Sequence, residues 1–205
     1  LRLNRRRAAG EFEEEGLHIM ADTGFWLPGG DEQQNRHVKK STLHSAWHEK
    51  LTNADRLAST ILATIYSHSR AAASQSKIGF DCVAVGIVGL SSESTFYVAV
   101  NGISLSHLTS NEEIRLSIIN VMKEGCLSGV IVPVDCPSQG MHAEMQILHY
   151  LSARGFDVPK CSVVMGVSKP CCFQCATILR HSNVAFSLYH TDKVENWDAP
   201  TLKWL

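Results

Sequence analysis

From His142 to Cys175 the chain reads HAEMQILHYLSARGFDVPKCSVVMGVSKPCCFQC. The apolar residues after His142 predict a helix over 142–153, ended by Gly155. The valine-rich run over 161–167 predicts a buried strand, and the residues from Cys172 predict a second helix over 172–180. Helix, strand and helix in that order mark an α/β chain, with helices laid on the faces of a sheet. Each helix starts with residues that bear chemistry: His142-Ala143-Glu144 at the first and Pro170-Cys171-Cys172-Phe173-Gln174-Cys175 at the second.

One imidazole, two thiols three positions apart and a carboxylate beside the imidazole suit a hydrolytic zinc centre. Zinc takes four ligands and favours sulfur and nitrogen donors. His142, Cys172 and Cys175 supply three, which leaves one position for water, and bound zinc lowers the pKa of that water to about 7. Glu144 is then the general acid and base that moves a proton from water to a leaving amine. The combination points to replacement of a nucleobase amino group by water. Helix starts favour thiolates through the macrodipole. Two plainer readings stay open: a purely structural zinc, and buried core cysteines with an unrelated surface histidine. Glu144 separates the catalytic reading from the structural one, because a structural site has no use for a carboxylate beside its ligand.

These two pieces resemble the signature of the zinc-dependent cytidine deaminase-like superfamily. The string Val167-Ser168-Lys169-Pro170-Cys171-Cys172 resembles its toxin- and effector-type branch. The resemblance spans roughly residues 80–205. It implies a mixed β-sheet flanked by helices, a Zn2+ cofactor, and conversion of cytosine to uracil in nucleic acid, DNA or RNA. It also implies delivery from a larger secreted polypeptide into a target-cell cytoplasm, with an inhibitory immunity protein as a possible partner. Family members carry an asparagine where Asn101 follows the second strand, which implies a contact to sugar or base; an ordinary Asn-Gly turn is the alternative. Ala143, Cys171 and Phe173 complete the expected substrate contacts. The sequence departs from the family pattern in one place: Cys171 stands between Pro170 and the first ligand cysteine. Other substrates remain open, namely free nucleosides or nucleotides and adenine, as does a zinc-stabilised module without catalysis.

The rest of the chain is consistent with one such domain. It has 205 residues, 44% of them hydrophobic, and a formal net charge of −1, so it lacks the overall basic footprint common in nucleic-acid binders. Its seven cysteines show no disulfide-framework spacing. No run has the length of a membrane span and no segment reads as a signal peptide, so no membrane association is expected. Residues 1–40 alternate blocks of arginine and glutamate and read as an extension or linker, which places the domain at 41–205.

A helical stretch is expected over 41–74, with Leu51, Leu57, Ile61, Leu62 and Ile65 as its apolar stripe and Asn53 or Asp55 capping a second segment. Residues 82–88 and 95–100 read as a hairpin. Residues 111–123 read as an amphipathic helix, 130–134 as an extra strand or ordered loop, and 184–189 as a strand. A last short strand over 201–205 is expected to pair antiparallel with 184–189, since the link over 190–200 is too short for a parallel crossover. The metal site is expected where two helices begin at one edge of the sheet.

Overall fold

The computed structural model describes residues 42–72, 82–89, 94–101, 112, 116–117, 119–120, 123, 129–135, 137–138, 140–187 and 189–205. The expected extension over 1–40 lies outside the described residues.

Val83, Val85 and Ile87 alternate with Ala84 and Gly86, a period of two that builds a strand with one bulky and one small face. This strand, β1 (Val83–Val88), is the centre of a five-stranded mixed sheet. It pairs antiparallel with β2 (Ser94–Val100), in the register Val83↔Val100 to Val88↔Thr95, as the hairpin reading expects. On its other side it pairs antiparallel with β4 (Val163–Val167). The edges are β3 (Gly129–Pro133), parallel to β2, and β5 (Ala185–Phe186), parallel to β4, which gives the order β3-β2-β1-β4-β5. Strands β2, β3, β4 and β5 therefore finish at the same end of the sheet, where β1 begins.

Helices cover both faces. Along α1 (Thr42–Ala72), Leu51, Ala54, Ala58, Ile61 and Ile65 recur every three or four residues and are buried together with Leu57. They meet the face formed by Val83, Val85, Ile87, Phe96, Val98, Val100 and Val164. Full burial of a leucine or isoleucine contributes about 1.5–3 kcal/mol, so this stripe fixes the helix on the sheet. The opposite face, with Ala84, Tyr97, Ala99, Val163, Met165 and Val167, carries α2 (Ala143–Ala153) and α3 (Phe173–His181). Two glycines in the central strands allow the helices to come close. A methyl group on Gly86 would lie 2.8 Å from Ile147 of α2, and one on Gly166 would lie 2.2 Å from the Ala54 backbone of α1. Among the described residues no helix is long and apolar enough to cross a membrane.

Three expectations change. First, α1 runs unbroken through Asn53 and Asp55, so neither caps a second segment. Asn53 accepts a hydrogen bond from Arg56 at 3.0 Å, and Asp55 reaches the sheet instead. Second, residues 201–205 form no strand, so the expected antiparallel last pair is absent; the last pair of the sheet, β4–β5, is parallel because α3 supplies its crossover. The terminal residues are held otherwise. The Thr201 N–H donates to His149 Nδ1 at 3.3 Å, the Lys203 N–H to Ser152 Oγ at 2.9 Å, and the Trp204 indole to Ser182 Oγ at 3.0 Å. Third, β5 is shorter than 184–189, and Tyr189 instead forms a single parallel bridge with Cys171. Of the two alternatives for 130–134, the strand is the one observed, as an edge strand over Gly129–Pro133. Of the helix expected over 111–123, the described residues 112, 116–117, 119–120 and 123 are helical.

Asp55 fastens α1 to the sheet. Its Oδ1 accepts hydrogen bonds from the Val167 N–H at 2.8 Å and from the Ser187 hydroxyl at 3.1 Å. Burial raises its carboxyl pKa to about 6, against the pull of those two donors. A carboxyl raised in the folded state keeps its proton after the unfolded chain has lost it. Stability is therefore greatest below about pH 4 for this group and falls as pH rises to about 6. The difference of about two pKa units corresponds to about 3 kcal/mol. Asp55→Asn keeps the Oδ1 acceptor without the buried charge. Urea unfolding at several pH values should show it more stable than wild type near neutrality, with the Asp55-dependent decline between about pH 4 and 6 present in wild type and absent from the variant.

Candidate metal centre

Both ligand-bearing helices begin on the end of the sheet where four strands finish. This is the C-terminal end of β4. β4 ends at Val167, and five residues later Cys172 opens α3. His142 opens α2.

His142 and Cys172 occupy equivalent places. Each is the N-cap of its helix, with extended backbone (φ −65°, ψ 155° and φ −71°, ψ 166°), and neither makes a side-chain capping bond. An N-cap residue lies outside the helical spiral, so its side chain can turn across the helix start. Glu144 and Cys175 follow within the first turns. His142 was expected inside the first turn; the cap position is what lets it and Glu144 serve one site despite their spacing of two.

His142 Nδ1 lies 3.6 Å from Cys172 Sγ and 3.4 Å from Cys175 Sγ. The three donor atoms all fall within 4.8 Å of one another. With Zn–S near 2.3 Å and Zn–N near 2.0–2.1 Å, a tetrahedral ion requires a nitrogen–sulfur edge of about 3.5 Å. The donor set and its spacing fit zinc.

The electrostatics follow from burial and from the crowding of these groups. Glu144 is 3% exposed, and burial holds its carboxyl above the usual carboxylate range, offset in part by its own backbone N–H, His142 and Cys175. Cys172 is the acidic thiol: a hydrogen bond from Cys175 and the nearby His142 outweigh its burial and bring it down to about 4. Burial, followed by the neighbouring Cys172 and Glu144, pushes the Cys175 thiol up, and a hydrogen bond from Trp197 opposes that. Two helix N-termini also point here, each with the equivalent of about half a positive charge.

The remaining expected residues take different positions. Ala143 is fully buried under the site. Cys171 is buried beside Glu144 and Cys82, which together with burial hold its thiol well above the ordinary range; its carbonyl accepts from the His190 N–H at 2.9 Å. It therefore fills the floor beside the centre. Phe173 is 39% exposed on the first turn of α3, with the Lys193 ammonium 5.8 Å from its ring centre. Asn101 follows β2 at the same end of the sheet, half-buried, with its N–H donating to Cys82 O at 2.9 Å. Ser168 extends the sheet: its Oγ accepts from the Val83 N–H at 2.8 Å, while Lys169 is exposed. His149 accepts from Thr201, and His107 lies outside the described residues.

Two contributors, Gln146 and Trp197, are not evident from the sequence, nor is the partner of Gln174, a residue of the expected metal turn. Gln146, fully buried, donates from its amide to Val100 O at 3.3 Å and Met141 O at 2.9 Å. It thereby ties the peptide before Asn101 to the peptide before His142. Gln174, between the two cysteines, pairs with Val194 in both directions, at 2.9 and 3.1 Å. The Trp197 indole N–H donates to Cys175 Sγ at 3.2 Å. Neither Gln146 nor Trp197 sits at a spacing that marks it in the sequence.

No curated protein and no solved structure matches the chain. A family model, described as an OTT_1508_deam-like deaminase, matches residues 141–201. That stretch is a little under a third of the chain and contains all three ligand atoms, Glu144 and the strand between the two helices. Over these residues the chain is similar to a deaminase.

Proposed function

We propose that the protein is a zinc-dependent hydrolytic deaminase acting on the amino group of a nucleobase, with cytosine in nucleic acid as its substrate. One observation carries the deaminase reading: His142, Cys172 and Cys175 converge at two helix starts with a buried Glu144 among them, inside the stretch that is similar to a deaminase. His142 Nδ1 and the two cysteine sulfurs are the atoms that would hold the ion. Zinc bound there supplies a Lewis acid that makes water a nucleophile near neutral pH.

Glu144 takes a proton from the attacking water and delivers it to the exocyclic amine. Water oxygen bonds to the ring carbon, the bond from that carbon to the exocyclic nitrogen breaks, ammonia leaves, and the second water proton ends on the adjacent ring nitrogen as the carbonyl forms. Burial suits the carboxyl to this work, because bulk water does not compete for its proton. Ala143 and Cys171 close the floor around it. Asn101 stands at the end of β2, where it can meet the sugar or base, and Gln146 keeps that strand end in register with the ligand helix. Phe173 offers an exposed ring at the mouth for stacking.

The choice of cytosine in a polymer is supported by the toxin- and effector-like string over 167–172. The net charge of −1 makes a local groove, rather than the whole surface, the nucleic-acid contact. On this reading the domain acts in a target cell, and an inhibitory immunity protein is its protein partner. A base in a duplex must be flipped out at a cost of a few kcal/mol, so single strands are the better substrate.

The test measures ammonia release and base change on cytidine, single-stranded DNA, duplex DNA and RNA at one low salt concentration. Single-stranded DNA or RNA should react fastest, and added salt should slow the reaction as phosphate contacts weaken. Reaction of cytidine alone replaces the polymer reading with a metabolic one, and reaction of adenine alone overturns the base assignment. Zinc-loaded protein inactive on every substrate leaves a zinc-stabilised interaction module.

A further inference from the structure

The segment over 190–198 is registered against all three ligands. The His190 N–H is bonded to the carbonyl of Cys171, next to Cys172. The Val194 backbone is clasped by Gln174, next to Cys175. The Asp198 N–H donates to Gly140 O at 3.0 Å, two positions before His142, and the Ser138 hydroxyl donates to the Asp198 carboxylate. Gly140 is pressed so closely that a methyl group there would lie 2.6 Å from Asn196 O and 2.7 Å from Asp198 Oδ2. Asn196 takes a positive φ of 58°, a turn that precedes Trp197 directly. The outcome of this bracing is the indole N–H set 3.2 Å from Cys175 Sγ, with the ring packed against the core under α2 and α3.

We infer that Trp197 is a positioning residue for the metal: its indole N–H holds the Cys175 sulfur in place and withdraws charge from it, so that the bound ion is held more tightly and is a stronger Lewis acid. The inference rests on the metal-centre reading above. A hydrogen bond to a thiolate is charge-assisted. Groups that hydrogen-bond to metal ligands typically change affinity or activity by about 10–100-fold when removed. Cys175 is fully buried, so the indole takes the place that water would have at an exposed thiolate.

The experiment compares the full chain with Trp197→Phe and with a version carrying benzothienylalanine at position 197, which keeps the indole shape and has sulfur in place of the N–H. Zinc affinity is measured by chelator competition. The thiolate-to-metal charge-transfer band is measured on the cobalt(II)-substituted proteins, with far-ultraviolet circular dichroism as the folding control. The expected result is zinc affinity about 10–100-fold weaker in both variants, with the cobalt band shifted to lower energy because the sulfur lone pair has lost its hydrogen bond. Wild-type affinity and an unmoved band in the benzothienylalanine protein would overturn the role of the N–H while leaving the metal centre intact. A wild-type chain that takes up neither zinc nor cobalt would overturn the metal-centre reading and this inference with it.

Discussion

Glu144→Gln and Glu144→Ala are expected to keep one zinc per chain and a native fold while losing about 10²- to 10⁴-fold in deaminase turnover, the range that a positioned proton-transfer group supplies. The argument rests on what Glu144 is not. The three donor atoms that converge are those of His142, Cys172 and Cys175, and the carboxylate is additional to them. It sits one position past the buried Ala143 in the first turn of α2, held by the helix and not by a metal. Glutamine has nearly the same shape and brings no charge into the interior, so it leaves no unpaired ion behind. Zinc analysis, thermal unfolding and initial rates on the same preparation separate the outcomes. A zinc-replete, folded Glu144→Gln protein with near wild-type turnover would contradict the assignment.

The second large effect concerns the ligands. His142→Ala, Cys172→Ala and Cys175→Ala should each abolish stoichiometric zinc, while Cys171→Ala should retain it. Both adjacent cysteines are buried, so packing loss alone cannot distinguish Cys171 from Cys172. Position can: Cys172 is the N-cap turned across the helix start, whereas Cys171 faces Glu144 and Cys82. A ligand that binds only the folded chain stabilises it by about 4 kcal/mol at a thousandfold excess over its Kd. A strong chelator should therefore lower the melting temperature of wild type and of Cys171→Ala and leave that of Cys175→Ala unchanged. Zinc retained in full by Cys175→Ala, or lost from Cys171→Ala, would move the ligand set.

The fold was legible where pattern and spacing are local. The strands β1 and β2 and the stripe on α1 report through neighbours in sequence, and the structure places them as read, while the two ligand helices begin one position later, with His142 and Cys172 as their caps. The ligand candidates were legible for the same reason, since His142 with Glu144 and Cys172 with Cys175 carry their chemistry within a few positions. What lay hidden depends on partners far along the chain. Asp55 looks like a cap because aspartate favours helix starts, yet its partners are Val167 and Ser187. Residues 201–205 look like a strand, but His149 and Ser152 of α2 take up the backbone N–H groups of Thr201 and Lys203. Trp197 stands in a polar stretch with no periodicity, so nothing in the sequence directs its indole to Cys175.

The hydrogen bonds of Asp55 span 112 and 132 positions, whereas those joining His142 to the two cysteines span 30 and 33. Loop closure costs about (3/2)RT ln n, so the first clasp is dearer by roughly 1 kcal/mol and must wait for more chain. During synthesis α1 leaves the ribosome before β4 and β5 exist, with its apolar stripe short of two of its strands. The half that carries the ligands is made in one short stretch and can come together within itself. Among the described helices, the one translated first is thus the one whose docking is completed last.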